Sequence, residues 1–160
     1  MGKLSALTAK TSLVGADTIP LTDSAASNAT KKVTVTNLFT TPVAILSTSP
    51  TLGVGYSTGA GGAVTQLTSR TTGVTLNKVS GAITLFSAAG SATPASFTVT
   101  NSAVVATDTI SINQKSGTDK YHLLITAVGA GSFQVTFFTT GGTTTEQPVF
   151  NFNVIKGVAA

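Results

Sequence analysis

The amino-acid sequence predicts an all-β protein: an antiparallel, jelly-roll-like β-sandwich domain preceded by an extended N-terminal β arm. Three observations lead there. From about Gly62 onward, apolar residues recur at every second position, run after run. Side chains of an extended strand leave alternate faces, so this period marks half-buried strand. Phe133-Gln134-Val135-Thr136-Phe137 is the clearest run, and Ile83/Leu85, Phe97/Val99, Tyr121/Leu123/Ile125 and Phe150/Phe152/Val154 repeat it. Second, Gly, Ser, Asn and Asp separate the runs, the spacing of a sandwich or barrel. Third, no stretch carries the period of a helix of ordinary length.

Taken in order, residues 1–16 mix small and polar residues without a strong period and read as an extended arm. Residues 17–23 form a short strand in which Pro20, lacking an amide donor, fits an edge or a free arm. A small-residue loop covers 24–30. From Lys31 to Phe39 alternation resumes, with Val33 and Val35 facing one way and Thr34 and Thr36 the other. Two strands alone are marginal in water. The module at 1–47 therefore needs a surface to pack on: the main domain, a neighbouring subunit or a larger assembly. Pro50 and a dense glycine run place a linker at 48–62, and the sandwich domain occupies 63–160.

Within that domain strands are expected at 64–68, 73–76, 79–86, 95–100, 108–113, 120–128, 132–139 and 148–155. Gly81 inside a strand predicts a bulge or a close backbone approach. The short glycine-rich stretch at 128–132 predicts a hairpin turn. Residues 114–119 are expected to join their strands in the same way, and 139–147 to form a polar hairpin tip.

Composition narrows the function. Charged residues make up only 9% of the chain, far below the roughly one quarter of ordinary globular proteins. A surface of Thr and Ser hydroxyls suits an inert structural subunit. The apolar alternation argues against disorder in 62–160. The net charge of +4 is scattered, with only Lys31 and Lys32 adjacent, so no nucleic-acid partner is expected. Cysteine is absent, which excludes disulfides and thiolate chemistry. No apolar run approaches the ~18 residues of a membrane helix, and none at the start reads as a signal peptide. The expectation is a soluble protein made in the cytoplasm, with no membrane partner.

Candidate chemistry is thin. Gly53-Val54-Gly55 lacks the third spaced glycine of a dinucleotide fingerprint, and no G-K-[ST] follows. His122, the sole histidine, falls on the strand face opposite Tyr121, Leu123 and Ile125 and reads as a surface or interface residue. The acids Asp17, Asp23, Asp108, Asp119 and Glu146 fall in turns or at strand ends, where they commonly bond the backbone. Neither a carboxylate pair nor a metal-ligand cluster is visible in the spacing. No catalytic, cofactor or metal residue is expected. Phe137-Phe138 sets consecutive rings on opposite faces, a hint of a second buried surface.

Two stretches carry a resemblance. Gly15-Ala16-Asp17-Thr18-Ile19-Pro20-Leu21 followed by Lys31-Lys32-Val33-Thr34-Val35-Thr36-Asn37-Leu38 resembles a short module near the N-terminus of tailed-bacteriophage virion proteins. The remainder, from Gly55-Tyr56-Ser57-Thr58-Gly59 through Thr72-Gly73-Val74-Thr75-Leu76 to Val154-Ile155-Lys156, is similar to small phage structural proteins found among head genes. The resemblance implies a capsid decoration (cement) protein on the virion surface, assembled in the host cytoplasm. Its implied partners are the major capsid protein and further copies of itself, as a homotrimer. Ile19, Leu21, Lys31, Lys32, Val33, Val35, Leu38 and Phe39 would then form the capsid-binding or oligomerising element. The alternative is a tail fibre or spike component whose β-domain binds a host receptor or glycan.

Overall fold

The structure, a computed structural model, describes residues 14, 16–23, 29–34, 55–56 and 59–158. The chain divides into two compact units, Met1–Val54 and Gly55–Ala160. Every regular element among the described residues is a β-strand.

In the first unit, β1 (Thr18–Asp23) pairs antiparallel with β2 (Ala29–Thr34), from Thr18 opposite Thr34 to Asp23 opposite Ala29. Ala29 and Thr30, expected in the loop, extend β2. Pro20 lies opposite Lys32; in a two-stranded ribbon both strands are edges, so a missing donor is tolerated. Ahead of β1 the Val14 amide donates to Asp17 Oδ2 at 2.7 Å and the Asp17 amide to the Val14 carbonyl at 2.9 Å. The backbone bond closes a four-residue turn immediately before the strand, and the Asp17 side chain ties its first residue back.

The second unit holds β3 (Gly61–Thr65), β4 (Val74–Thr75), β5 (Ser80–Thr84), β6 (Ala88–Ala89) and β7 (Ala95–Thr100). It continues with β8 (Thr109–Ser116), β9 (Tyr121–Gly129), β10 (Ser132–Thr139), β11 (Thr145–Glu146) and β12 (Val149–Ile155). One four-stranded sheet, sheet I, has the order β3-β5-β12-β8; the other, sheet II, has β4-β7-β10-β9; β6 and β11 form a small separate pair. Most pairings are antiparallel as expected, and two at the outer edges, β3 with β5 and β4 with β7, are parallel. A strand's alternation records which face is buried and carries no direction, so sequence pattern could not register this.

The two sheets meet through aromatic rings. Phe133 of sheet II lies 5.2 Å from Phe152 of sheet I, Tyr121 lies 5.4 Å from Phe150, and Phe137 lies 5.9 Å from Phe150. Edge-to-face and tilted geometries of this kind are preferred for aromatic pairs. Ile83, Val99, Val135, Phe150, Phe152 and Val154 are fully buried among them. Each contributes about 1.5–3 kcal/mol by leaving water.

Connections differ from the expected hairpins. Going from β3 through β4, β5, β7, β8 and β9, the chain changes sheet at each step, and among the successive strands of the two four-stranded sheets only β9–β10 is a hairpin. Residues 114–119 therefore cross from sheet I to sheet II, and 139–147 cross back. The linker expectation also shifts at its end. Gly61 and Gly62 belong to β3, and the Tyr56 hydroxyl bonds the Val154 carbonyl. A Cβ on Gly62 would stand 2.9 Å from Leu76 Cδ1, and one on Gly81, its partner across the sheet, 2.5 Å from Leu76 Cδ2. These glycines leave room for the Leu76 side chain against the backbone.

Candidate functional site

The densest polar chemistry gathers at one end of the sandwich, where the 66–72 loop, β6, β11 and the start of β9 converge. Gln66, 2% exposed, holds the loop. Its amide donates to the carbonyls of Arg70 at 3.1 Å and Thr72 at 2.8 Å, and its Oε1 accepts the Phe86 amide at 3.2 Å. The loop so shaped delivers Arg70 inward, where it is 8% exposed.

All five N–H donors of Arg70 are engaged. Nε donates to the Phe86 carbonyl at 3.1 Å, and Nη1 to the Ala89 carbonyl at 3.3 Å and the Tyr121 hydroxyl at 2.8 Å. Nη2 donates to the Glu146 carbonyl at 2.7 Å and to the Ala88 carbonyl. The guanidinium carbon also lies 5.6 Å from the Tyr121 ring centroid, within cation–π range. A planar fork serving five acceptors is a task a lysine cannot perform.

Around it the carboxylates bind backbone. Glu146 Oε1 accepts the Asp119 amide at 3.0 Å and the Tyr121 hydroxyl at 3.2 Å, and Oε2 accepts the Thr118 amide. Burial works against ionisation of Glu146, yet these amides and the hydroxyl outweigh it and hold its pKa below the ordinary carboxylate value. Asp119, 7% exposed, accepts the Thr144 amide at 3.0 Å. Gly90 and Gly142 lie so close to its carboxyl that a Cβ at either would collide with it. Burial raises the pKa of Tyr121 over the opposing influence of Arg70, so its hydroxyl stays protonated at neutral pH. Beside this knot lies a 330 Å³ pocket with Arg70, Tyr121 and Phe137 inside and Ala89, Ser91 and Pro94 toward its mouth. Chemically the arrangement ties four segments together, and all five donors of its cation are taken up by the protein's own oxygens.

At the other end Asp108 forms a smaller clasp. It pairs with Lys156 at 2.5 Å and accepts the amides of Val105 at 2.9 Å and Gly157 at 3.2 Å. Burial opposes its ionisation, and the Lys156 bond and the two amides together lower its pKa below the ordinary value.

His122 is exposed, stacked on Phe138 with ring centroids 4.8 Å apart and planes 10° from parallel, and its Nε2 lies 3.4 Å from Thr140 Oγ1. Among the described residues no three His, Cys, Asp or Glu side chains converge as metal ligands. Gly55-Tyr56-Ser57-Thr58-Gly59 has the G-x-S-x-G spacing of a hydrolase nucleophile elbow, which requires a strand-to-helix turn. Here the chain runs on into β3, and Ser57 lies outside the described residues.

Of the anchoring residues expected from sequence, Ile19 stands opposite Val33 and Leu21 opposite Lys31 in the ribbon. Ile19 and Lys32 are exposed and Val33 is half-buried. Val35, Leu38 and Phe39 lie outside the described residues. Sequence reasoning missed the Gln66–Arg70–Tyr121–Glu146 cluster. One signal was present: the chain has nine cations and a single arginine, and that arginine is the one with five acceptors. Compared with protein-family models, curated proteins and solved structures, the chain returns no match.

Proposed function

We propose that the protein is a non-enzymatic structural component of a tailed-phage virion, a capsid decoration protein. In this reading the β1–β2 module docks on the major capsid protein, copies assemble as a trimer, and the sandwich stands on the head surface and stabilises it. The observation that carries the reading is the ribbon itself. Among the described residues β1 and β2 pair only with each other, in a unit separate from the sandwich. A two-stranded ribbon is marginal alone, and adding strands is the way an extended segment commonly joins a partner's sheet. Exposed Ile19 and Lys32 supply an apolar and a cationic contact. The sandwich fits a passive role, since among the described residues its buried polar side chains find their partners within the protein. Removing residues 1–40 should abolish co-sedimentation with capsids while the sandwich melts as in the full chain. Undiminished capsid binding by that truncated protein would refute the assignment of the anchor.

A second reading, a tail component whose β-domain binds a receptor or glycan, draws on the pocket beside Tyr121 and Phe137. Its test is binding of the full chain to host cells or surface polysaccharide. Binding that disappears when Ala89→Phe closes the pocket would favour it over decoration.

A further inference from the structure

We infer that the outer face of sheet II, along β7, β10 and the edge strand β9, is the contact between copies of this chain. The inference deepens the reading of the protein as a self-assembling subunit, and rests on that part of it.

Charge comes first. No Lys, Arg, Asp or Glu occurs in β4, β7, β9 or β10. A solvated sheet face and a nine-residue edge strand ordinarily carry charges that keep other strands away, and β9 (Tyr121–Gly129) has none. The second unit holds five cations and three acids, and a contact between identical copies through a charge-free face brings no like charges together and buries none. Sheet I is the poorer choice, because Lys115 lies in its edge strand β8.

Hydrogen bonding points the same way. The register of β9 against β10 slips between Gln134 and Val135, a bulge that leaves Thr126 and Ala127 both exposed. Thr126 Oγ1 thereby reaches Gln134 Oε1 and Thr136 Oγ1, each at 2.9 Å, and Thr136 Oγ1 lies 2.7 Å from Ser96 Oγ. These outward groups bond one another across three strands. Covering such a face leaves few polar atoms without partners, which is the main cost of burying hydroxyls.

Shape supplies the occupant. Toward one end the face is apolar, with the stacked His122–Phe138 pair and Leu124, 51% exposed. Toward the hairpin end it carries a 250 Å³ depression between Thr98, Ala127 and Gln134. An exposed apolar side chain and a neutral depression on one charge-free face let the Leu124 end of one copy seat in the depression of the next. Such head-to-tail contacts close into rings when the rotation per step permits.

Equilibrium sedimentation of the full chain at micromolar concentration tests this, with Leu124→Lys and Thr98→Lys as disrupting variants and Ser111→Lys on sheet I as control. Wild type and control should sediment as a multiple of 16.0 kDa. Both sheet II variants should fall to a single-chain mass with unchanged thermal melts. A wild-type monomer, or sheet II variants that assemble like wild type, would overturn the inference. Capsid co-sedimentation is read separately: assembly through this face without capsid binding would sink the decoration reading and leave this one standing.

Discussion

Replacing Arg70 probes the knot that closes one end of the sandwich. Arg70→Met keeps much of the side-chain volume and removes five donors at once, from four backbone carbonyls and the Tyr121 hydroxyl. A hydrogen bond to a charged group contributes about 1.5–3 kcal/mol, but the five do not add. Ala89 is exposed and beside the pocket mouth, so water replaces part of what is lost there. Roughly two bonds then go uncompensated, a loss of about 4 kcal/mol. For a domain of this size that lowers the melting midpoint by about 15–20 °C, a large share of a total stability of about 5–15 kcal/mol. Arg70→Lys should recover little, because a point charge on a flexible stem cannot serve acceptors spread around a planar fork. The assay is circular-dichroism melting at neutral pH, checked by urea unfolding. Midpoints for both variants within about 2 °C of wild type would show that the bonds around Arg70 are incidental.

Two further perturbations follow from the same geometry. Glu146 has a folded pKa below its ordinary 4.5; a depressed value stabilises the fold fully above the unfolded pKa, and that share is lost as pH falls through the folded one. Wild type should therefore weaken on acidification below about pH 4.5, while Glu146→Gln should melt lower at pH 7 and show a shallower acid slope; parallel slopes would contradict this. Phe150, fully buried between Tyr121 and Phe137, should cost about 3–5 kcal/mol when changed to Ala. Urea unfolding reads that loss, and a change below about 1 kcal/mol would mean the sheets do not meet as described.

How much the sequence disclosed follows from what alternation can encode. Phe133, Val135 and Phe137 were legible as an inward row, and all three are buried; Phe150, Phe152 and Val154 likewise. His122 was correctly set on the face opposite Tyr121. Alternation fixes a face and is silent about neighbours, so two expected hairpins turned out to be crossings between sheets. The bulge at Thr126 was invisible for a related reason, since one extra residue is a property of the pair of strands. The Arg70 cluster draws acceptors from Phe86, Ala88, Ala89, Tyr121 and Glu146, five positions that only the fold brings together. Asp108 and Glu146 were expected to bond local backbone; Asp108 does so at Val105 and also reaches Gly157, while Glu146 bonds amides 27 and 28 residues away.

The claim that most needs a direct observation is that this chain decorates a phage head through its N-terminal module. Cryo-electron microscopy of virions containing the protein, with symmetry imposed on the head, provides it. The account predicts sandwich-shaped density on the outer capsid surface, with the ribbon lying against the major capsid protein. A bare head, with the protein found only at the tail, would contradict it.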